Sequence, residues 1–342
     1  MKVLLYDTTN AFLTPGGKAT HALKLQKSIS KFGVDIQFAR WWDKTQSDVD
    51  LIHFLAPVPS VARLAKERGI RTFLSLIFDF ATNLSETEKS KQSLKYKLLT
   101  HLPFNLSKRF GYWNAFSYMD CIQFMNENDR RTARRFFPHF IPQEKTVILP
   151  HAYDPEDMHI SDELSIKEKN YPEKYLVSCA NISPRKQTLR LACYAKRAKV
   201  PIVFMGGRVP TDPYFKAFQA EVDNRYVFDS GYVSKEWRDC IVGNASGYVL
   251  LSTGESGCIA VYEAAAYKLP LLLANRPWAW GYDQPTDISF CDDWNECLAI
   301  EQLQKFYEHA GRLDRMPFNA LTWDEVAKLY IAEYLRLMSF ET

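Results

Sequence analysis

Glu255 and Glu263 stand at the two ends of an E-x7-E stretch, Glu255-Ser256-Gly257-Cys258-Ile259-Ala260-Val261-Tyr262-Glu263. The stretch leaves the apolar run Tyr248-Val249-Leu250-Leu251-Ser252 and enters Ala264-Ala265-Ala266, so its order is strand, glycine-containing turn, helix. Such a turn gathers unpaired backbone N–H groups and the positive end of a helix in an open crevice, where an anionic or hydroxyl-bearing ligand is held. At about 1.5 Å per residue the second carboxylate falls roughly 12 Å along the helix. Both acids lie between apolar flanks, and a charge in such flanks needs a partner.

The elements that must position this stretch alternate along the whole chain. Short β-rich runs at 3–6, 35–39, 51–55, 72–78, 121–125 and 146–149 are separated by helical patterns, and a second set follows at 175–179, 202–205, 226–229, 248–251 and 271–273. Strands alternating with helices predict β-α-β units wound around parallel sheets. Helical stretches at 18–31 and 60–68 stop at Gly33 and Gly69, which suit a left-handed C-terminal cap. In the second half, helices are expected after Arg185, Pro213, Ser234, Gly257 and Asn295, and a last one from Thr322 to Met338. A polar linker at 154–174 divides the two sets. The division predicts an N-terminal Rossmann-like domain at 1–160, a C-terminal one at 161–320, and a terminal helix at 321–342 packing back on the first. Two open sheets facing each other across a cleft would hold a ligand between the carboxyl ends of their strands.

The chain has 342 residues, long enough for two domains that each bury a core. Its 43 basic and 40 acidic residues give a formal charge of +3, no global reason to expect nucleic acid. No apolar run reaches the roughly 20 residues that span a bilayer, and the first residues lack the apolar core of a signal peptide, so a cytoplasmic location is expected. The 7 cysteines show no C-x-x-C spacing, which argues against a disulfide framework and a zinc site. No Asp-x-Asp follows a strand, and Asp292-Asp293 reads as a turn, so no metal is expected. Gly-x-Gly-x-x-Gly is absent, against a nicotinamide-dependent dehydrogenase.

Several segments match, in order, those of a known family: Gly16-Gly17 opening the first helix, 147–154 at the domain crossing, Ile182-Ser183-Pro184-Arg185-Lys186, the E-x7-E stretch, and the terminal helix with Trp323. On these the chain resembles the retaining glycosyltransferases of family 4, the group-1 type of the α/β GT-B fold, over nearly its whole length. The resemblance implies transfer of a sugar from a nucleoside diphosphate, UDP or GDP, to an acceptor hydroxyl with the anomeric configuration kept. Catalysis would come from stabilising charge on the leaving diphosphate. Lys186 matches the family lysine on the diphosphate. The family arginine falls near Asn181 and is missing, leaving Arg185 to supply the charge. Positive charge at a helix start is disfavoured by the dipole, which favours a functional role for both cations.

Glu263 matches the glutamate that binds ribose hydroxyls, and Glu255 the one beside the donor sugar, a separation suited to the far part of a nucleotide sugar. Ser256, Gly257 and Cys258 would offer backbone N–H groups, and Gly16-Gly17 a bare backbone to the donor phosphate and acceptor. Where the family often has a histidine this chain has Phe78-Asp79, so Asp79 becomes a polar contact or weak base, or else a helix cap. His53 is expected to pack at a strand end. His151 and Tyr153 sit at the domain crossing, and the resemblance would place Tyr232-Val233 at the border of the base pocket.

Between Glu88 and Asp120 there is no acidic residue, while Lys89, Lys91, Lys95, Lys97, Lys108 and Arg109 are interleaved with leucines and aromatics. A basic segment at 89–110 can dock on an anionic bilayer, as in synthesis of glycolipid or surface polysaccharide on a glycan or lipid-linked acceptor. With Arg130, Arg131, Arg134 and Arg135 it can instead follow a phosphate backbone, as a glycosyltransferase of DNA bases would, or form a plain solvated face. A non-catalytic GT-B scaffold, or more weakly an epimerase, remains the other class.

Overall fold

The computed structural model describes residues 1–9, 16–101, 111–158, 166–282 and 287–339, the side chains of Asp79, Phe80, Asp157 and Lys167 excepted. The chain forms two compact units, one of Met1–His151 with Trp323–Thr342, the other of Ala152–Thr322. Each is built on a six-stranded parallel sheet, so the two doubly wound Rossmann-like units expected from the alternation of strands and helices are present.

In the first unit the strands β1 (Lys2–Tyr6), β2 (Asp35–Phe38), β3 (Leu51–Phe54), β4 (Arg71–Ser75), β5 (Cys121–Phe124) and β6 (Thr146–Ile148) lie in the order β2-β1-β3-β4-β5-β6. β3 and β5 are buried at every position, as parallel strands covered on both faces must be. Side-chain alternation sends Ile52, Phe54, Leu74, Ile122 and Phe124 to one face, where they pack with Trp113, Phe116, Phe136 and Phe137. Helices α1 (Gly17–Ser30), α2 (Pro59–Glu67), the short α3 (Asp79–Thr82), α4 (Glu86–Thr100) and α5 (Glu127–Phe136) make the connections. β4 is shorter than the apolar run at 72–78 because that run ends at α3, although Leu76 and Phe78 still enter the core.

The second unit contains β7 (Leu176–Cys179), β8 (Ile202–Met205), β9 (Val227–Gly231), β10 (Gly247–Leu250), β11 (Leu271–Ala274) and β12 (Ile288–Cys291) in the order β12-β11-β10-β7-β8-β9. Its helices are α6 (Thr188–Ala198), α7 (Pro213–Glu221), α8 (Lys235–Gly243), α9 (Ile259–Ala266) and α10 (Glu296–His309). β12 goes beyond the five strands that apolar runs predict; only Cys291 in it is fully buried, so it carries no continuous apolar signal. The linker region at 154–174 contains the single turns Pro155–Asp157 and Ile166–Lys169.

The last helix, α11 (Trp323–Ser339), belongs to the first unit. Tyr334 Oη lies 2.7 Å from His53 Nδ1, whose other ring nitrogen is 2.7 Å from Ser75 Oγ, and Tyr330 stacks on the same imidazole. His53 is therefore a satisfied core histidine at the end of β3, as its place in an apolar run suggests. Beside it His21 of α1 is buried against His151 and Trp323, with the two imidazole Nδ1 atoms 3.2 Å apart. No helix among the described residues is long and apolar enough to cross a membrane.

Candidate active site

In the second sheet β7 has β8 on one side and β10 on the other, so chain progression reverses between β7 and β10. Open α/β sheets bind ligands outside the carboxyl ends of strands at such a point. The segments that leave these two strands carry Arg185-Lys186 and Glu255-Ser256-Gly257-Cys258.

The structure brings the cations and the first glutamate together. Lys186 Nζ lies 2.7 Å and Arg185 Nη1 2.8 Å from the same oxygen, Glu255 Oε1, which also accepts a hydrogen bond of 2.5 Å from Ser252 Oγ. The Glu255 and Lys186 side chains are only 9% and 10% exposed, whereas that of Arg185 is 50% exposed, so the lysine pair is the more desolvated. Arg185 also donates to Gly254 O at 2.8 Å, and its own carbonyl accepts from Thr253 N, which ties the two loops to each other. Trp278 Nε1 donates to Ser252 O at 2.9 Å beneath them.

Cys258 precedes the first residue of α9, and Lys186 Nζ is 3.9 Å from its sulfur. Burial pushes the Cys258 thiol up, and the lysine pulls it back in part. The first turn of α9 contains no acidic side chain. Ser256 is buried beside Glu255.

Gln187 adopts the left-handed conformation with φ 51°, which an ordinary residue occupies only when its surroundings compensate. Its amide donates at 2.6 Å to Oδ2 of Asp293, a carboxylate with no exposed surface just past β12. Arg276 Nη2 approaches the same oxygen at 2.7 Å and Arg190 Nη1 at 3.7 Å. Asp293 does lie in a turn, as its sequence context suggests, but the turn is a buried ionic junction. Sequence reasoning passed over it because its partners stand on two distant segments, the start of α6 and the loop after β11.

Glu263 lies farther along α9, half-buried, with Arg238 of α8 at 3.4 Å. Arg238 also pairs with Asp239 at 3.0 Å. Burial disfavours the guanidinium charge, but the two carboxylates more than offset it and the Arg238 pKa is raised. Asn181, exposed past β7, accepts from Gly207 N at 3.1 Å. A Cβ on Gly206 would stand 2.2 Å from Ala180 O, and its φ of 154° also excludes other residues, so the carboxyl ends of β7 and β8 close tightly on each other. Arg208 pairs with Asp229 and lies over Gly231. Next to it Tyr232 is 89% exposed and Val233 packs against the core.

In the first unit Gly16 and Gly17 open α1, as expected, but neither has a backbone or, among the described residues, a close neighbour that demands glycine. The following Lys18 forms an ion pair of 2.5 Å with Asp7, just past β1, and Thr9 Oγ1 donates to that carboxylate at 2.7 Å. Burial works to raise the Asp7 carboxyl; Lys18 and Thr9 nonetheless hold it below the usual range. Asp79 is the first residue of α3, and its side chain lies outside the described residues. His151 is buried against His21, and Tyr153 bridges to Thr322.

The basic segment is less uniform than its sequence suggests. Lys89 is buried and pairs with Glu86 at 3.1 Å, Arg135 pairs with the same Glu86 at 2.7 Å, and Arg130 pairs with Glu127, so these three do not belong to an open cationic face. Lys91, Lys95 and Lys97 are exposed, and on the same helix Leu94 and Leu98 are 61% and 67% exposed. Lys108 and Arg109 lie outside the described residues. No group of three or more His, Cys, Asp or Glu among the described residues is arranged as a metal site.

No family model matches the chain. No curated protein matches it either. Solved structures do. Sucrose-phosphate synthase from Thermosynechococcus elongatus superposes with a TM-score of 0.71 over 100% of both chains at 10% identity. The α,α-trehalose 6-phosphate synthase of Burkholderia multivorans gives 0.67 over 99% of each at 10% identity. An Anabaena protein solved with UDP and glucose gives 0.59 at 13% identity, covering 98% of this chain and 99% of that one. At such identities the likeness shows the fold: the two-domain α/β architecture of GT-B glycosyltransferases.

Proposed function

We propose that the protein is a retaining, metal-independent glycosyltransferase that moves a sugar from a UDP- or GDP-linked donor to an acceptor hydroxyl. The observation that carries this reading is the convergence of Lys186 and Arg185 on Glu255 at the reversal point of the second sheet. Two cations and the N-terminus of α9 suit a leaving diphosphate, whose charge grows as the bond from the anomeric carbon to the phosphate oxygen breaks. Lys186 and Arg185 take the part a divalent ion would otherwise play. Glu255, which balances both cations in the structure, exchanges them for hydroxyls of the donor sugar once the diphosphate supplies the negative charge. Glu263, fixed by Arg238 farther along the helix, receives the ribose hydroxyls. The backbone N–H groups of Ser256, Gly257 and Cys258 complete the cradle. The bare backbone at Gly16-Gly17 and the side chain of Asp79 serve the acceptor side, and Tyr232-Val233 and Asn181 border the donor.

Synthesis of a glycolipid or surface polysaccharide at the cytoplasmic membrane face accords with the exposed stripe of Lys91, Leu94, Lys95 and Leu98 on α4. A cavity of about 160 Å³ opens beside this helix, lined by Lys97, His101 and His139 with Phe137 and Phe140. The deciding experiment is a thermal-shift screen of nucleotide sugars followed by slow hydrolysis of the donor that binds. A ligand at 100 times its Kd stabilises by about 2.7 kcal/mol, well within reach of the assay. Hydrolysis should persist in EDTA. A chain that neither binds nor hydrolyses any donor is a scaffold, and the proposal falls.

A further inference from the structure

Past the end of β2 the chain turns through Arg40-Trp41-Trp42-Asp43. Trp41 is 92% and Trp42 66% exposed, more than any other tryptophan described. Their rings meet edge to face, 5.6 Å apart at 88°, so the two indoles form an open corner rather than a closed stack. Leaving that much aromatic surface in water forfeits burial, which marks such patches as contact surfaces.

The turn beneath them is firmly built. Arg40 pairs with Asp43 at 2.6 Å, and Asp43 Oδ1 accepts from Thr45 N and Oγ1 at 2.9 and 2.6 Å. Gln46 Oε1 accepts from Arg40 N at 2.7 Å, while its amide donates to Phe38 O at 3.1 Å. Ala39 N donates to Leu5 O at 2.9 Å, which anchors the turn to β1. The pair thus stands on the carboxyl edge of the first sheet, the edge at which Asp7 and Lys18 also lie and at which open α/β sheets bind ligands.

We propose that Trp41 and Trp42 form a platform for a neutral saccharide, the acceptor of the transfer reaction. The inference rests on the glycosyltransferase reading and adds the chemical class of its acceptor. A pyranose ring presents axial C–H groups that stack on an indole face, and its rim of hydroxyls needs planar hydrogen-bonding side chains close by. Gln37, Arg40, Asp43 and Gln46, linked to one another around the turn, supply such groups. An anionic bilayer is the poorer occupant: around the pair stand only Arg40, Asp43 and Lys44, with Arg40 paired to Asp43, a net charge of +1 where docking on anionic lipid takes a cluster of cations. A protein partner is also a poorer fit, since two indoles flanked by polar side chains fall far short of the roughly 800 Å² that a stable interface covers on each side.

The test uses the full chain, native and as Trp41→Ala/Trp42→Ala, on an array of defined neutral and acidic oligosaccharides, with UDP and GDP binding measured in parallel by calorimetry. Native protein should retain at least one class of neutral oligosaccharide, and the double substitution should weaken it by 10-fold or more while UDP or GDP binds both proteins equally. Trp41→Ala alone should account for the larger part. Glycan binding that survives the double substitution, or a native protein that binds no glycan, overturns the platform. So does a double variant that loses only sedimentation with phosphatidylglycerol vesicles or self-association in the ultracentrifuge. If neither nucleotide binds but glycan retention depends on the tryptophans, the donor reading fails and the platform stands; the converse result fails the platform alone.

Discussion

Replacing Lys186 by alanine separates the chemical role of the cation pair from its structural one. The ammonium lies 2.7 Å from Glu255 Oε1 with a side chain 10% exposed, so solvent screens it weakly. At an effective dielectric of 20, unit charges 4 Å apart interact by about 4 kcal/mol, and removing one pre-organised donor from a developing anion costs about 2.7–4 kcal/mol in known cases. The expected loss in kcat is therefore about 10²- to 10³-fold. The fold should lose little, because Glu255 keeps Arg185 at 2.8 Å and Ser252 at 2.5 Å. A net cost near 1 kcal/mol would lower Tm by about 2–4 °C in a unit of this size. The assay is release of nucleoside diphosphate from the donor found by thermal shift, at saturating and limiting donor. Lys186→Arg should recover part of kcat, as a longer cation in the same place. Because the lysine acts on charge that grows during bond breaking, kcat should fall more than KM rises. Turnover within about threefold of the native protein would refute its role. A collapse of Tm that accounts for the whole loss would refute it equally, by making Lys186 a structural residue.

Three further outcomes follow from the same geometry. Asp293→Ala should destabilise the second unit by about 2–3 kcal/mol in urea melts, below the 3–5 of a fully buried broken pair because Arg190 and Arg276 are 48% and 24% exposed. Asp293→Asn should cost less, since Oδ1 has no hydrogen-bond partner to lose among the described residues and the amide oxygen can still accept from Gln187 and Arg276; equal melts for native and alanine proteins would contradict this. Gly206→Ala sets a Cβ against a backbone oxygen at a φ of 154°, so a loss of about 3 kcal/mol is expected, and a variant as stable as the parent would show that β7 and β8 do not meet so closely. Burial first, then the neighbouring imidazole, holds His21 and His53 well below the ordinary histidine value. The unfolded chain therefore gains protons below about pH 6.5 that the native state refuses, so stability is unaffected above that pH and falls below it, by about 1.4 kcal/mol per pH unit for each histidine. Chemical melts between about pH 5 and 8 should show this slope, reduced in His21→Gln; a flat profile would contradict the buried neutral cluster.

Most strands were legible because parallel strands covered on both faces are short apolar runs, and 51–54, 121–124 and 202–205 are apolar or buried throughout. β12 escaped because an edge strand with Ser289 in it lacks that signature. The E-x7-E stretch and Arg185-Lys186 were visible as charge in apolar or helix-start contexts, and the structure brings Glu255 to both cations. What no local pattern discloses is which distant charges meet. Gln187 and Asp293, His21 and His151, and Arg238 and Glu263 become neighbours only through the winding of their sheets. The Lys89 charge was misread for the same reason: its partner Glu86 turns a residue of an apparent cationic run into an internal pair.

The discontinuous composition of the first unit bears on how the chain is made. His53 finds its phenol partner, and His21 its indole, only on the helix that begins at Trp323. During synthesis the first sheet therefore emerges with one face uncovered and must wait for the rest of the polypeptide. The second unit, drawn from one uninterrupted stretch, has all its own strands by then. Maturation should run in reverse of translation order, with the later-made unit resistant to protease on a stalled ribosome before the earlier one.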